Sequence, residues 1–215
     1  MENELVCETF ILGPLQVNSY LVFDSESQEG LVIDPAYDDL KFIERIDSLS
    51  SYKFSIFLTH GHADHILGLE TIRKLTRAKV FCGEEDSKML LDPILNLSQW
   101  LGSAFVASPA DAFLKQGDHL SLGKHKGEVL SIPGHTPGSI VLCFPTMIFT
   151  GDTLFAGSIG RTDFPNGNGK LLISMIKERI LTLSNRTVFF GYVPAKTIEE
   201  VKGSNFFLQE TRFDF

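Results

Sequence analysis

The sequence has few cysteines, no long apolar run and no excess of basic residues. Its three cysteines, Cys7, Cys82 and Cys143, are odd in number, widely separated and in no C-x-x-C arrangement, which argues against a disulfide framework or a cysteine-only zinc site. No apolar segment reaches the ~18 residues of a membrane span. Residues 1–10 also lack the basic start and the apolar stretch of a signal peptide. These absences predict a soluble, cytoplasmic protein.

Acidic residues outnumber basic ones, 27 to 19, and the formal net charge is −8. Nucleic acids and anionic membranes are bound by basic surfaces, so neither is an expected partner, and a small-molecule substrate is expected instead. The length of 215 residues, with 43% hydrophobic residues, suits one substantial domain. Since no linker, charge block or internal repeat divides the chain, residues 1–215 are expected to form a single domain.

The first third of the sequence alternates strand and helix patterns. Residues 18–24 and 30–35 are apolar runs separated by a polar turn and predict two strands. Helical spacing follows over 37–49, where an apolar stripe is predicted from Leu40, Ile43, Ile46 and Leu49. Residues 54–60 then predict a buried strand, and 65–75 predict a second helix.

The remainder continues with strands bounded by glycine or proline. Residues 84–105 indicate a mixture of helix and loop with a break near Pro93. Strands are predicted over 119–124, 127–133, 139–145, 146–152 and 187–190, and helices over 171–183 and 195–202. The pattern predicts an α/β protein.

Four candidate ligands lie in the stretch FLTHGHADHILG, directly after an apolar strand. They are His60, His62, Asp64 and His65. Two later strands end in the same way, one before His135 in GHTPGS and one before Asp152 in GDTLF. Because α/β proteins gather reactive groups at the carboxyl ends of strands, we expect these side chains to converge.

The spacing of these residues suits metal binding. His60 and His62 are two positions apart, which in a loop lets both rings reach one ion. Asp64 and His65, at the start of the predicted helix, can face a second ion, and Asp152 can bridge the two. Nitrogen and oxygen ligands suit zinc, iron or manganese. The expected cofactor is one or two zinc ions, with iron or manganese as alternatives.

Other polar residues have more ordinary interpretations. His119 and His125 fall in a predicted surface hairpin and are expected to be solvated. Asp34 in VIDP either caps a turn or hydrogen-bonds a ligand histidine. Arg161 and Asp163 in GRTDF form either a structural ion pair, the favoured interpretation, or contacts to substrate.

In their order and spacing, THGHADH, GHTPGS and GDTLF resemble the metallo-β-lactamase fold hydrolases, whose shared motif is H-x-H-x-D-H followed by a distant His and a bridging Asp. The resemblance covers nearly the whole chain, with NSYLV and VIDP matching the opening strands. GDTLFAGSIGRTDFPNG is most similar to the single-domain glyoxalase II-like branch, which includes hydroxyacylglutathione hydrolase homologues. The resemblance implies a four-layer αββα sandwich with metals at one edge of its two sheets.

The resemblance also implies roles for individual residues. His60, His62 and His135 would hold the first metal, Asp64 and His65 would belong to the second, and Asp152 would bridge. The family expects a further histidine in a C-terminal loop similar to P-G-H-G-P. Here that loop reads FGYVPAKTI and has Tyr192 instead. A phenol releases its proton less readily than an imidazole offers its lone pair, so the second site is expected to be weaker, empty or dependent on ionised Tyr192.

Three functions follow from this resemblance. The favoured one is hydrolysis of a small thioester such as a hydroxyacylglutathione by a metal-activated hydroxide that Asp64 orients. The alternative is a mononuclear iron enzyme similar to the persulfide dioxygenases, whose sequences also resemble GRTDF. A non-catalytic binding protein is a third interpretation. β-Lactam hydrolysis is disfavoured because the best-known lactamases have Cys at the position of Asp152, and a flavodiiron role because Glu would replace His62.

Overall fold

The computed structural model describes residues 4–209, and its centre is two six-stranded sheets. The first sheet contains, in spatial and chain order, β1 (Val6–Leu12), β2 (Val17–Asp24), β3 (Glu29–Ile33), β4 (Lys53–Phe57), β5 (Lys79–Gly83) and β6 (Ala112–Leu114). The second contains, in chain order, β7 (His119–Leu122), β8 (His125–Ser131), β9 (Ile140–Cys143), β10 (Met147–Gly151), β11 (Thr187–Phe190) and β12 (Lys196–Thr197). Each strand of the second sheet is paired with the next one in the chain.

Among the described residues, four α-helices cover the sheets. They are α1 (Leu40–Asp47), α2 (Leu69–Thr76), α3 (Gly169–Met175), which continues as a π-helical turn over Ile176–Ile180, and α4 (Ile198–Ser204). Short 3₁₀ segments span Ala63–His65, Glu84–Leu91, Ser98–Leu101 and Phe206–Leu208. Within residues 4–209, no helix has the length and apolar character needed to cross a bilayer.

Three apolar clusters hold the layers together. One lies between the sheets and includes Leu31 and Phe57 from the first and Leu142 and Phe149 from the second. The other two join each sheet to its own helices: Phe42 and Ile72 belong to the cluster of the first sheet, and Leu172 and Val201 to that of the second. The predicted αββα sandwich is therefore confirmed.

The direction of the strands explains where a site can form. β3, β4, β5 and β6 run parallel, and so do β10 and β11. Every residue of β2, β9 and β10 is buried, as expected for strands covered on both faces. The side chains that could form a polar site therefore lie mainly in the loops at the ends of these strands.

Most predicted elements are confirmed, with four corrections. Leu40 is 76% exposed and does not belong to the buried face of α1, which Phe42 and Ile46 provide. The second helix begins at Leu69 rather than His65, because Ala63–His65 forms a separate 3₁₀ turn. β1, β5, β6 and β12 were not predicted, since each is short or half exposed and lacks a clear alternating pattern. β12 occupies the start of the helix predicted over 195–202, which begins at Ile198 instead.

The predicted hairpin around His119 and His125 is formed by β7 and β8. His119 is exposed, as expected. His125 is half-buried, and its Nε2 atom has no hydrogen-bond partner, so its expected full solvation is not observed.

Candidate metal centre

All seven predicted site residues lie together at one edge of the sandwich. His60 and His62 follow β4, and Asp64 and His65 lie in the 3₁₀ turn after them. The other three each follow the carboxyl end of a strand of the second sheet: His135 after β8, Asp152 after β10 and Tyr192 after β11. The parallel strands bring these ends to the same edge, although 132 positions separate the first of these residues from the last.

Three histidines form the tightest cluster. His62 Nδ1 lies 3.0 Å from His135 Nε2, which lies 3.3 Å from His60 Nε2. All three rings are buried, and their nitrogen atoms lie within 4.8 Å of one another. This spacing suits three ligands of one ion.

In His135 and His60, the Nδ1 atom lies away from the cluster and has a hydrogen-bond partner that indicates where the ring proton is. His135 Nδ1 lies 2.8 Å from the Arg161 carbonyl oxygen, which can only accept a hydrogen bond. His60 Nδ1 lies 3.1 Å from the Thr59 hydroxyl, which itself donates to Asp34 at 2.6 Å and so accepts from the ring. With Nδ1 of each ring donating to these oxygens, the Nε2 atoms of His60 and His135 face each other and are placed to bind one cation.

Burial keeps two of these histidines unprotonated. Burial, assisted by the other imidazoles, holds the pKa of His60 well below its usual range. For His62, burial and the neighbouring His135 ring lower the pKa to about 3. Buried imidazole nitrogens that converge within 4.8 Å are the donor set that a divalent transition metal requires. The residues therefore fit the metal that the resemblance implies.

A second cluster lies beside the first and contains His65, Asp64 and Asp152. His65 Nε2 is 3.2 Å from Asp152 Oδ1 and 3.9 Å from Asp64 Oδ2. His65 Nε2 and Asp152 Oδ1 are both buried without an aligned hydrogen-bond partner. Burial alone would lower the pKa of His65, but the Asp152 and Asp64 carboxylates raise it well above the usual range. The cluster therefore favours a positive charge at His65 Nε2, which a proton or a metal ion can supply.

Tyr192 contacts this second cluster through a hydrogen bond. Its hydroxyl donates to Asp64 Oδ2 at 2.5 Å. Burial, followed by the nearby carboxylates of Asp64 and Asp152, raises the pKa of the phenol well above its ordinary value. Burial would also raise the pKa of Asp64, but His65 and the Tyr192 hydrogen bond lower it. Tyr192 is thus a neutral donor to an ionised Asp64.

Asp34 hydrogen-bonds a histidine of the site, so its role is not limited to capping a turn. Its Oδ2 atom lies 2.9 Å from His65 Nδ1, and its two oxygens accept from the Thr59 backbone N–H and hydroxyl. A carboxylate on Nδ1 directs the Nε2 atom of His65 toward the second cluster. Asp34 has φ of +49°, a conformation that costs energy for a non-glycine residue and is held here by these bonds.

Asp86 is a site residue that the sequence interpretation missed. Its fully buried carboxylate accepts from the Gly61 N–H at 3.0 Å, the Thr136 hydroxyl at 2.6 Å and the Gly138 N–H at 2.7 Å. It therefore joins the loop of His60 and His62 to the loop of His135. Residues 84–105 were predicted only as a mixture of helix and loop, and the strand before them was not predicted, so no signal placed Asp86 at the site.

The Tyr192 loop is held by the first sheet. Asn18 donates from its side-chain amide to the carbonyl oxygens of Phe190 and Val193, at 3.1 and 2.8 Å. Tyr20 donates to the same Phe190 oxygen. Val193 has φ of +63°, which is unusual for a β-branched residue. These contacts explain the role of the motif NSYLV, whose Asn18 and Tyr20 side chains reach the end of β11 of the other sheet and the loop that follows it.

A cavity of about 880 Å³ opens over the two clusters. Arg161 lines it, and its guanidinium makes two hydrogen bonds to Asp163, at 2.8 and 2.7 Å. Both side chains are mostly exposed, and the guanidinium lies 4.0 Å from the centre of the Phe164 ring. The favoured interpretation as an ion pair is therefore confirmed, and the backbone oxygen of Arg161 additionally orients His135.

Comparisons with known proteins agree with this geometry. The model of the metallo-beta-lactamase superfamily matches residues 12–192. Hydroxyacylglutathione hydrolase GloC of Haemophilus influenzae is 34% identical over 200 residues, which cover 90% of this chain and 93% of that protein. Among solved structures, BLEG-1 B3 metallo-beta-lactamase has a TM-score of 0.88 at 32% identity, covering 94% of this chain and 99% of that one. TTHA1623 in a di-iron-bound form has a TM-score of 0.80 at 30% identity, covering 94% and 100%.

Proposed function

Because the chain belongs to the metallo-β-lactamase superfamily, we propose that it is a metal-dependent hydrolase of a small thioester, such as a hydroxyacylglutathione. The observation that carries the proposal is the cluster of converging, buried ring nitrogens of His60, His62 and His135. The similarity to GloC supports a thioester as substrate. We further propose that Asp152 and His65 extend the metal site and that zinc is the usual ion.

A bound metal would lower the pKa of the water molecule that it binds and would polarise the substrate carbonyl. The protein's own residues supply the rest. Asp64 is ionised and lies at the cavity, so it can accept a hydrogen bond from the attacking water and orient it. Tyr192 holds that carboxylate in place through its 2.5 Å hydrogen bond.

Metal content tests the ligand assignment. We expect protein purified without added metal to contain a transition metal, and the double substitution His60→Ala and His135→Ala to remove it, because the remaining ligands cannot complete a tetrahedral site. His119→Ala is the matched control, since that exposed histidine lies in the β7–β8 hairpin. Elemental analysis of the three folded proteins gives the answer. Equal metal content in all of them would refute the assignment.

A substrate panel tests the reaction. We expect S-lactoylglutathione to be cleaved by the zinc-loaded protein without oxygen. The persulfide dioxygenase alternative predicts instead that activity requires ferrous iron and consumes oxygen, and the di-iron form of TTHA1623 makes iron a relevant metal to test. Oxygen uptake in proportion to turnover would overturn the hydrolytic proposal. Binding without any turnover would support a non-catalytic role.

A β-lactam is a second candidate substrate, since BLEG-1 is named as a B3 metallo-beta-lactamase. Hydrolysis of a β-lactam and of a thioester both require water to attack an acyl carbon, so the same cluster could serve either. The presence of Asp152 in place of Cys still favours the thioester. Ring opening of a penicillin, followed by absorbance under the same zinc-loaded conditions, distinguishes the two by their kcat/KM.

A further inference from the structure

The cavity over the metal centre has an apolar wall that the hydrolytic chemistry does not require. One side is the segment 94–101, which contains Ile94, Trp100 and Leu101. Leu15, from the loop between β1 and β2, lies on the cavity wall with them. Trp100 is 82% exposed. A large aromatic side chain so exposed beside a cavity is typical of a binding surface.

The apolar wall continues away from the metal centre as a branch of about 460 Å³. Leu15, Asp64 and Leu101 line both the branch and the main cavity, so the branch begins at the candidate catalytic carboxylate. The walls of the branch are mostly apolar and include Leu12, Pro14, Val17, Ala36, Tyr37 and Leu67. A substrate held at the metal centre could therefore extend an apolar group into it.

Charged groups are scarce around this cavity. Apart from the acidic and histidine residues of the metal centre, Arg161 is the charged side chain that lines the main cavity among the described residues, and Asp163 already pairs with it. A neighbouring recess of about 300 Å³ shares His62, Ile94 and Leu97 with the main cavity. Most of its lining residues are apolar, but it also carries Glu85, Lys88 and Asn166. The recess thus offers charged side chains that the branch lacks apart from Asp64, and both adjoin the metal centre, the recess at His62 and the branch at Asp64.

We propose that the acyl group of the substrate is an apolar chain or ring larger than lactoyl, bound against Leu15, Trp100 and Leu101. This inference rests on the proposed thioester hydrolysis. The thiol carrier, which is polar in biological thioesters, would occupy the recess with Lys88 and Asn166. In the reaction the water oxygen bonds to the acyl carbon, the C–S bond breaks, and the products are a carboxylic acid and a thiol that takes one proton of the water.

Binding can be measured without turnover because Trp100 is the single tryptophan of the chain. The probes are neutral thioethers of N-acetylcysteamine with alkyl chains of increasing length, titrated while the fluorescence of Trp100 is recorded. We expect affinity to rise about threefold for each added methylene until the branch is filled. Affinity that is independent of chain length would overturn the proposal.

Two leucines provide a matched pair of variants. Leu101 is 47% exposed and lines the cavity, whereas Leu91 is 49% exposed and lies outside the lining of the cavities described above. Leu101→Ser should weaken binding of the longest probe about tenfold and flatten the dependence on chain length. Leu91→Ser should change neither. Equal effects of the two substitutions would contradict the assignment of the apolar wall.

Turnover separates this inference from the function on which it rests. N-acetylcysteamine thioesters from acetyl to octanoyl are compared with S-lactoylglutathione on the metal-loaded protein. We expect kcat/KM to rise with acyl length and to exceed that for S-lactoylglutathione. Cleavage of all thioesters at equal rates would refute the apolar acyl group but retain the hydrolase. No cleavage at all, with binding that still depends on chain length, would refute the thioesterase proposal and support the apolar site.

Discussion

At the scale of single residues, Tyr192 is the main departure from the family's metal ligands. Its hydroxyl lies against Asp64, and its phenol is harder to ionise than a free tyrosine because it is buried beside two carboxylates. If Tyr192 is to bind a metal, the metal must replace the hydrogen bond to Asp64 and the phenol must lose its proton. The first cluster carries no such penalty, because burial already keeps the His60 and His62 rings neutral.

Tyr192→His is therefore predicted to strengthen the second metal site. A neutral imidazole beside Asp64 and His65 supplies the missing nitrogen ligand, so the metal content should rise from about one toward about two ions per chain. Elemental analysis after dialysis against metal-free buffer is the measurement. Tyr192→Phe is the control, which removes the hydroxyl without adding a ligand. Two firmly bound ions in the unaltered protein, unchanged in both variants, would show that Tyr192 does not affect this site.

Gly191 gives a second prediction at this scale. A Cβ atom at this position would lie 2.1 Å from Asp152 Oδ1 and 3.0 Å from His65 Cε1. Gly191→Ala should displace the carboxylate and lower metal affinity, with a loss of stability of about 1–3 kcal/mol from the forced contact. Gly157→Ala is the matched control, since nothing lies within 4 Å of its added Cβ. Metal titration and urea unfolding test both variants, and equal behaviour would contradict the proposed crowding.

At the scale of elements, the site is formed by loops that follow different strands. Buried side chains link these loops to one another. Asp86 lies in the 3₁₀ segment after β5 and connects the loop after β4 to the loop after β8. Asn18 of β2 connects the first sheet to the loop after β11. Each of these contacts crosses between parts of the chain that are distant in sequence, so the positions of the histidines depend on groups that bind no metal themselves.

Asp86→Asn is predicted to loosen this connection. The amide has one acceptor oxygen where the carboxylate has two, so at least one of the three buried donors loses its partner, at a cost of about 1–3 kcal/mol. Urea unfolding of the metal-free protein measures that loss. Glu85→Gln is the control, because Glu85 is the exposed neighbour in the same segment. A stability unchanged in Asp86→Asn would mean that this carboxylate does not hold the two loops.

At the scale of the whole molecule, the two sheets share an apolar cluster and the Asn18 contacts. We therefore propose that residues 1–215 form one domain that unfolds as a unit. Cys82 lies in β5 of the first sheet and Cys143 in β9 of the second. The two cysteines can therefore report on the unfolding of both sheets. Both thiols are free. Burial raises the pKa of each to about 12.

Alkylation by iodoacetamide at pH 8 tests this proposal. In the folded protein both thiols should be almost unreactive, because the thiolate is the nucleophile and only about one part in ten thousand ionises when the pKa is four units above the pH. Both should become reactive at the same urea concentration if the sheets unfold together. Mass spectrometry of peptides containing Cys82 and Cys143 gives the two midpoints. Clearly separated midpoints would contradict a single cooperative domain.

Sequence patterns alone indicated an α/β protein and the candidate ligands, and the four-layer architecture was what the resemblance to a known family implied. Runs such as SIVLCF and TMIFT predict buried strands because strand burial requires apolar residues on both faces. The placement of His60, His135 and Asp152 directly after such strands indicated their convergence, since parallel strands end at a common edge. The motif THGHADH and its resemblance to a known family supplied their expected roles.

Only the tertiary structure shows which other side chains keep those candidate ligands in position and what surrounds them. The contacts of Asp86 with Gly61 and Gly138 and of Asn18 with Val193 link residues from 25 to 175 positions apart, and no local pattern encodes such pairs. The start of α2 at Leu69 and the exposure of Leu40 also depend on packing against the sheet rather than on helical spacing. The apolar branch beside Asp64 is of the same kind, because a cavity is defined by the space between segments, and a sequence does not record that space.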